Sequence, residues 1–363
     1  MIAVAQPPLP KGRPVRLFVV DDSMVIRTLV SSWIEAEPDL QLAGVAADGA
    51  EAVRVLAGIE ADICVLDLDM PVMGGIEAIP KLLRLRPELK LLIVSRLVQR
   101  GPEAGLKAIE AGASDYLAKP STTDVGGTDA FRRELICRIR TLAQAGVSRP
   151  TARAGTIPRP RPLPHGGACE PPELIVVASS TGGPPALREL LCGLGAGVSQ
   201  PVVIVQHMPA AFIELLAEQL TKASAIPAAV ARQGEVLSPG RVWLAPGDRH
   251  LKVERKGGQL CAMLDDGPPE NFCRPAADVL FRSAAKVCGA RTAAVVLTGM
   301  GRDGWAGATE LAAAGAVIFA QDEESSVVWG MPGAVVGSGL ASLVGPVPRL
   351  AAGLRRLAEG ETP

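Results

Sequence analysis

The sequence predicts two α/β domains, each built on a mainly parallel sheet. Three observations predict this class. Short continuous apolar runs alternate with amphipathic helical patterns along most of the chain, a stretch rich in Pro and Arg interrupts the alternation near the middle, and the residues with chemistry fall at the carboxyl ends of the apolar runs. Continuous apolar strands belong to a sheet covered by helices on both faces. In such sheets ligands and catalytic groups gather at the carboxyl ends of the strands.

In chain order, RLFVV (16–20) is a strand ending in Asp21-Asp22, and a helix follows with Val25, Ile26, Leu29, Val30, Trp33 and Ile34 on one face. LQLAGVA is the second strand, a short helix starts at Gly49, and DICVL leads into Asp67. A helix over 76–85, the strand LKLLIVS, a helix ending at Gly112, the strand DYLA and an amphipathic helix from Phe131 complete five βα units. Residues 148–172 read SRPTARAGTIPRPRPLPHGGACEPP, too poor in apolar surface to order themselves and stiffened by proline, as an interdomain linker is. This divides the chain into a first domain over 14–145, a linker over 146–172 and a second domain over 173–357. In the second, ELIVVAS, PVVIVQH, RVWLAP, TAAVVLTG and AVIFAQ are strands, and HLKVERKGGQLCAML is a hairpin turning at Gly257-Gly258.

Composition narrows the partners. Lys and Arg number 37 against 38 Asp and Glu, a net charge of -1 that gives no electrostatic case for nucleic acid or a membrane surface. Seven cysteines, scattered and never spaced C-x-x-C, fit reduced thiols rather than a disulfide or zinc framework. With neither a bilayer-length apolar run nor a signal-peptide pattern in MIAVAQPPLPKGRP, a cytoplasmic location is expected.

In the first domain Asp21 and Asp22 follow the first strand and Asp67 the third, which sets three carboxylates side by side. Hard oxygen donors gathered in this way suit Mg²⁺. Ser95 ends the fourth strand, and Lys119 at the same rim is placed to pair with a phosphoryl group, with Pro120 shaping its loop through an expected cis bond. The segments DD-S, LDLDMPVMGG, VSR and DYLAKP resemble a response-regulator receiver domain, a flavodoxin-like (βα)5 fold. The resemblance implies that Asp67 is the phosphoacceptor, that Asp21 and Asp22 hold Mg²⁺ with it, and that Ser95, Tyr116 and Lys119 relay the phosphorylated state. Asp69 falls outside the pattern, and Arg96 stands where receivers usually carry a small residue.

In the second domain VVASSTGG (176–183) breaks an apolar run into a hydroxyl-rich turn. A Walker loop would need Lys after the last Gly, where Pro184-Pro185 stand, and the G-x-G-x-x-G spacing is missing. Thr181 or Gly183 before the prolines would cap a helix, which sets a hydroxyl at its positive end. Ser180 has the small flanks Ala178 and Gly182 that a nucleophile elbow needs, whereas Ser179 is crowded. A serine nucleophile requires a base. Of three histidines, His165 lies in the linker and His250 before the hairpin, whereas His207 ends the strand VVIVQH. A carboxylate must then orient the imidazole, with Asp303 in LTGMGRDG and Asp322 after AVIFAQ as candidates.

ASSTGGP, IVQHMPAAF, APGDRHL, RPAADVLFRS, LTGMGRDG and SSVVWGMP together resemble the catalytic domain of the chemotaxis protein-glutamate methylesterases of CheB type, in which a receiver precedes a doubly wound α/β domain. The resemblance implies a nucleophile at Ser180, a base at His207 and an orienting acid at Asp303, with Thr181 and Met300 lining the oxyanion site. It further implies that the enzyme removes methyl groups from glutamate γ-methyl esters of chemoreceptors, releasing methanol without a cofactor, and deamidates receptor glutamines. A chemotaxis histidine kinase would phosphorylate the receiver, which would pack over the catalytic mouth until phosphorylated. Local departures are Ala178 for glycine, Cys273 for a polar residue and Gly333 for arginine. Two alternatives stand beside this reading: a phosphorylation-dependent binding module with a weakened site, and the same hydrolase in a pathway other than motility.

Overall fold

A computed structural model describes residues 13–95, 97–120, 127–145 and 170–363. Arg96, His165 and the linker over 146–169 lie outside the described residues. The chain divides into two units, Met1–Pro150 and Thr151–Pro363.

The first unit holds a five-stranded parallel sheet in the order β2-β1-β3-β4-β5. Its strands are β1 (Val15–Val20), β2 (Leu40–Ala46), β3 (Ile63–Leu66), β4 (Lys90–Ser95) and β5 (Asp115–Ala118). The connecting helices are α1 (Met24–Glu35), α2 (Gly49–Leu56), α3 (Gly75–Leu85), α4 (Leu97–Glu110) and α5 (Gly127–Ala145). Helix α5 starts four residues before Phe131, because Gly127, Thr128 and Asp129 form a polar first turn that an apolar pattern does not register. The order reverses at β1, and Asp21, Asp22 and Asp67 lie at that switch point.

The second unit is a seven-stranded parallel sheet in the order β14-β13-β12-β6-β7-β9-β8, with a separate antiparallel hairpin of β10 (His250–Lys256) and β11 (Gln259–Asp265). From the centre outward the strands are β6 (Leu174–Ser179), β7 (Val202–Gln206), β9 (Val242–Leu244) and β8 (Ala228–Val230) on one side. On the other are β12 (Thr292–Val296), β13 (Val317–Gln321) and β14 (Leu343–Gly345). Strands β8 and β14, absent from the sequence-based assignment, are three residues each, too short to set up a periodicity.

Strand β6 shows why the sheet forms. Leu174, Val176 and Ala178 enter one apolar layer while Ile175 and Val177 enter the other, all five fully buried. The second layer is filled by Leu187, Leu190, Leu191 and Leu194 of α6 (Gly183–Leu194) and Leu350, Leu354 and Leu357 of α11 (Val347–Ala358). Burying side chains of this size contributes about 1.5–3 kcal/mol each, which anchors the central strand on both faces. Between α6 and α11 lie α7 (Ala210–Ser224), α8 (Ala277–Val287), α9 (Trp305–Ala313) and α10 (Met331–Gly337).

Candidate active site

The parallel register carries the candidate catalytic residues to one rim. Ser179 pairs with Gln206 at the ends of β6 and β7, so Ser180 and His207 leave the sheet side by side. The His207 N–H donates to Ser179 O (3.0 Å), and the Ser180 N–H donates to Thr298 O (3.0 Å) beyond β12. The switch point at β6 thus holds the turn on both sides.

Each residue of VVASSTGG has its own task. Ser179 is fully buried, and its hydroxyl donates to Gln206 Oε1 (2.6 Å), which makes it a structural spacer. The Gln206 amide then donates to Ser180 O (2.9 Å) and His207 O (3.1 Å), tying both chain turns together. The helix cap is Gly182, at φ 75°, rather than Thr181 or Gly183, because the turn requires a left-handed residue there. Gly183 lies against the Gln206 side chain, where any Cβ would collide with Oε1. Ala178 stays inside β6, paired with Val205 and Val296, and the turn begins only after it.

His207 is the residue around which the charges are arranged. Its Nε2 bonds to Asp303 Oδ2 (2.8 Å), and its Nδ1 lies 3.7 Å from Cys273 Sγ. Among the described residues no hydrogen bond joins the Ser180 hydroxyl to the ring; such contacts often tighten only with substrate. Burial favours the neutral imidazole, but the bond to Asp303 and then Cys273 outweigh it, and the ring is pushed up to about 10. Asp303, buried, accepts four bonds: His207 and the Ala277 N–H (2.6 Å) on Oδ2, and Asn271 Nδ2 (2.9 Å) and the Asp278 N–H (3.1 Å) on Oδ1. Burial opposes its charge, yet these donors hold its carboxyl below the usual range.

Three contributors here were beyond sequence reasoning: Asn271 and Cys273 come from the connection between β11 and α8, and Asp278 from the first turn of α8. Asn271 donates to Asp303 and to Asp278 Oδ2 (2.8 Å), bridging two buried carboxylates. Burial and the nearby charge of Asp303 push Asp278 up, so the two acids divide into one charged and one drawn toward neutrality. Cys273, noted in the sequence only as a departure, reaches the ring. A two-residue turn presents these groups: the Cys273 N–H donates to Glu270 O (2.8 Å), the Glu270 N–H to Cys273 O (3.1 Å), and Asn271 and Phe272 have φ of 51° and 63°. Positive φ at both central residues is the type I′ pattern. Phe272 is 79% exposed at its tip. The one signal available was Asn before an aromatic in a turn.

The remaining candidates separate cleanly. Gly299 brings the β12–α9 turn against the serine, since a Cβ there would lie 2.9 Å from Ser180 Cβ and collide with Met331 Sδ. Met300 follows in that turn, and its backbone N–H donates to no group among the described residues. Thr181 is buried, with its carbonyl accepting from Thr298 Oγ1 (2.9 Å). Asp322 binds Ser325 in a turn after β13 and does not reach His207. His250 is buried within β10, accepts from the Ala276 N–H at Nδ1 (3.1 Å) and donates from Nε2 to Pro268 O (3.0 Å), a structural role.

In the first unit Asp21, Asp22 and Asp67 offer carboxylate oxygens within 4.8 Å of one another. Lys119 Nζ donates to Asp21 (2.6 Å) and Asp67 (2.5 Å), and Asp67 also accepts from the Leu68 N–H (2.7 Å). Burial outweighs the lysine and pushes Asp21 up. Three clustered carboxylates with one exposed arm, Asp22, fit a hard divalent cation such as Mg²⁺. The buried Tyr116 donates its hydroxyl to Ser95 O (3.2 Å), and burial followed by the charges of Asp67 and Asp69 raises it to about 12. Against expectation, the cis X–Pro bond among the described residues is Arg274–Pro275; Lys119–Pro120 keeps the trans form that X–Pro bonds ordinarily prefer. No helix among the described residues is long and apolar enough to cross a membrane.

Comparison with known proteins agrees with this layout. The family model for CheB methylesterase matches residues 175–354, and that for the response regulator receiver domain matches residues 17–126. Protein-glutamate methylesterase/protein-glutamine glutaminase 2 of Caulobacter vibrioides is 48% identical over 337 residues, 92% of this chain and 96% of that one. The protein-glutamate methylesterase/protein-glutamine glutaminase of Azospirillum brasilense is 43% identical over 368 residues, 96% of this chain and 93% of its own. The crystal structure of the Thermotoga maritima CheB methylesterase catalytic domain aligns with a TM-score of 0.50 at 38% identity, covering 51% of this chain and 98% of that domain.

Proposed function

This chain belongs to the CheB methylesterase family and carries a response regulator receiver domain, and from that premise we propose how its residues perform the activity. It is a phosphorylation-regulated protein-glutamate methylesterase and protein-glutamine glutaminase. Its substrate is a chemoreceptor, and its phosphodonor is a histidine kinase.

Ser180 is the nucleophile. Because Asp303 occupies Nε2 of His207, the proton of the serine hydroxyl passes to Nδ1, the ring nitrogen that Asp303 leaves available. Oγ attacks the γ-carbonyl of a glutamate methyl ester, and the resulting oxyanion accepts from the backbone N–H groups of Met300 and Thr181. Preorganised donors of this type are each worth about 2.7–4 kcal/mol. Methanol leaves with the proton from His207, and water then hydrolyses the acyl-enzyme with His207 again as base. A glutamine substrate loses ammonia instead and passes through the same acyl-enzyme. Asp303 holds the imidazole in one orientation and balances its charge.

In the receiver, Asp67 accepts the phosphoryl group, and Asp21, Asp22 and Asp67 would hold Mg²⁺, which supplies charge neutralisation during transfer. Lys119 pairs with the phosphorylated Asp67, and Ser95 and Tyr116 carry the change onward.

The observation that carries this reading is the His207–Asp303 pair beside Ser180 on one strand-end rim. The test is methanol release from methylated receptor membranes: Ser180→Ala should abolish it while leaving the circular dichroism spectrum intact. Activity equal to the unsubstituted protein would remove Ser180 from the mechanism.

A further inference from the structure

The ring nitrogen needed for catalysis faces a thiol. Cys273 Sγ lies 3.7 Å from His207 Nδ1, and His207, Cys273 and Asp303 offer donor atoms all within 4.8 Å of one another. A tetrahedral Zn²⁺ with bonds of about 2.0 Å to nitrogen and about 2.3 Å to sulfur spaces those two atoms about 3.5 Å apart. The observed separation is close to that edge without any movement of the backbone.

We propose that His207 Nδ1 and Cys273 Sγ form a binding site for Zn²⁺ or a similar borderline-soft divalent cation, and that filling it switches the hydrolase off. Asp303 is not a ligand here. Both its oxygens already accept two hydrogen bonds each from His207, Ala277, Asn271 and Asp278. It acts instead as the outer carboxylate that orients a metal-binding histidine through its other nitrogen and raises its basicity. Solvent completes the coordination, with the Ser180 hydroxyl nearby.

Access and chemistry both favour the site. Cys273 is half-buried and the His207 side chain is 12% exposed, so an ion can enter from solvent. The nitrogen and thiolate pair prefers Zn²⁺ over Mg²⁺, which separates this site from the all-oxygen cluster of the receiver. Binding releases the thiol proton and the proton held at Nδ1 to solvent and takes the Nδ1 lone pair. An occupied Nδ1 cannot accept the proton of Ser180, so the loss of activity rests on the catalytic role proposed above, whereas the site itself does not.

The test uses the full chain in buffer saturated with Mg²⁺ to occupy the receiver cluster. Added Co²⁺ should produce a thiolate-to-cobalt charge-transfer band that Zn²⁺ displaces. The band should be missing from Cys273→Ser and Cys273→Ala and unchanged in Cys192→Ser, which removes an exposed thiol elsewhere. Zn²⁺ should suppress methanol release reversibly with EDTA. Each Cys273 variant, compared with its own metal-free rate, should need at least about tenfold more Zn²⁺. Circular dichroism confirms the fold of each variant. A band that persists in both Cys273 variants, or equal Zn²⁺ sensitivity, overturns the site. A Cys273-dependent band with undiminished methanol release keeps the site and overturns both the inhibition and His207 as base.

Discussion

Asp303 shows how a residue with almost no solvent contact keeps its charge. Two backbone N–H groups, an amide and an imidazole saturate its oxygens, while burial and the Asp303 charge push the carboxyl of Asp278, seven residues from the bridging Asn271, up. Asn271→Ala removes two bonds to carboxylates; hydrogen bonds to charged groups are worth about 1.5–3 kcal/mol, so urea unfolding should detect a loss of that order together with a lower kcat. An unchanged midpoint and kcat would show that the bridge is dispensable. The pH profile of kcat/KM reports on the ring. Only neutral His207 accepts a proton, so activity should rise with pH through a pKa near 10, and since Cys273 contributes to raising it, Cys273→Ala should move the limb to lower pH. A limb that stays in place or moves up would remove Cys273 from the electrostatics. Ser180, His207 and Asp303 could be found in the sequence because each follows an apolar run. Asn271 could not, because it enters from a connection whose path is set by the hairpin and α8, and Asp278 could not, because nothing in the period of α8 marks one acid of its first turn as a partner of Asp303.

At the level of elements, close approach decides what the turns can contain. Gly183 admits the Gln206 side chain, and Gly299 admits Ser180 and Met331. Overpacking typically costs about 1–3 kcal/mol. Gly183→Ala should therefore lower the melting temperature, and Gly299→Ala should cut kcat with a smaller effect on stability, measured by calorimetry and methanol release on the same preparations. Gly299→Ala with full kcat would mean that the β12–α9 turn can shift without disturbing the serine. Long strands and the hairpin were legible because alternation and Gly257-Gly258 mark them. β8 and β14 were not, being edge strands of three residues defined by their neighbours. The start of α5 was missed because its first turn is polar, and the Lys119–Pro120 bond keeps the ordinary trans preference of X–Pro bonds.

Across the whole molecule the two units repeat one solution, with chemistry at the strand where sheet order reverses: β1 for the carboxylate cluster and β6 for the serine. The α/β class was readable because both sheets are parallel and covered on both faces, so their strands are continuously apolar. Acetyl phosphate with Mg²⁺ should raise methanol release by the full chain, and Asp67→Asn should abolish that response while keeping the basal rate. A response that survives in Asp67→Asn would move the phosphoacceptor elsewhere. The central position of β6 also has a kinetic meaning. Its amides are bonded into β7 on one side and β12 on the other, and both faces are apolar and buried, so local fraying cannot release them. Deuterium should enter β6 only through opening of the entire domain, while the Glu270–Cys273 turn exchanges through small fluctuations. The strand that leads into Ser180 and the turn that carries Cys273 to His207 therefore belong to opposite ends of the protein's range of motion.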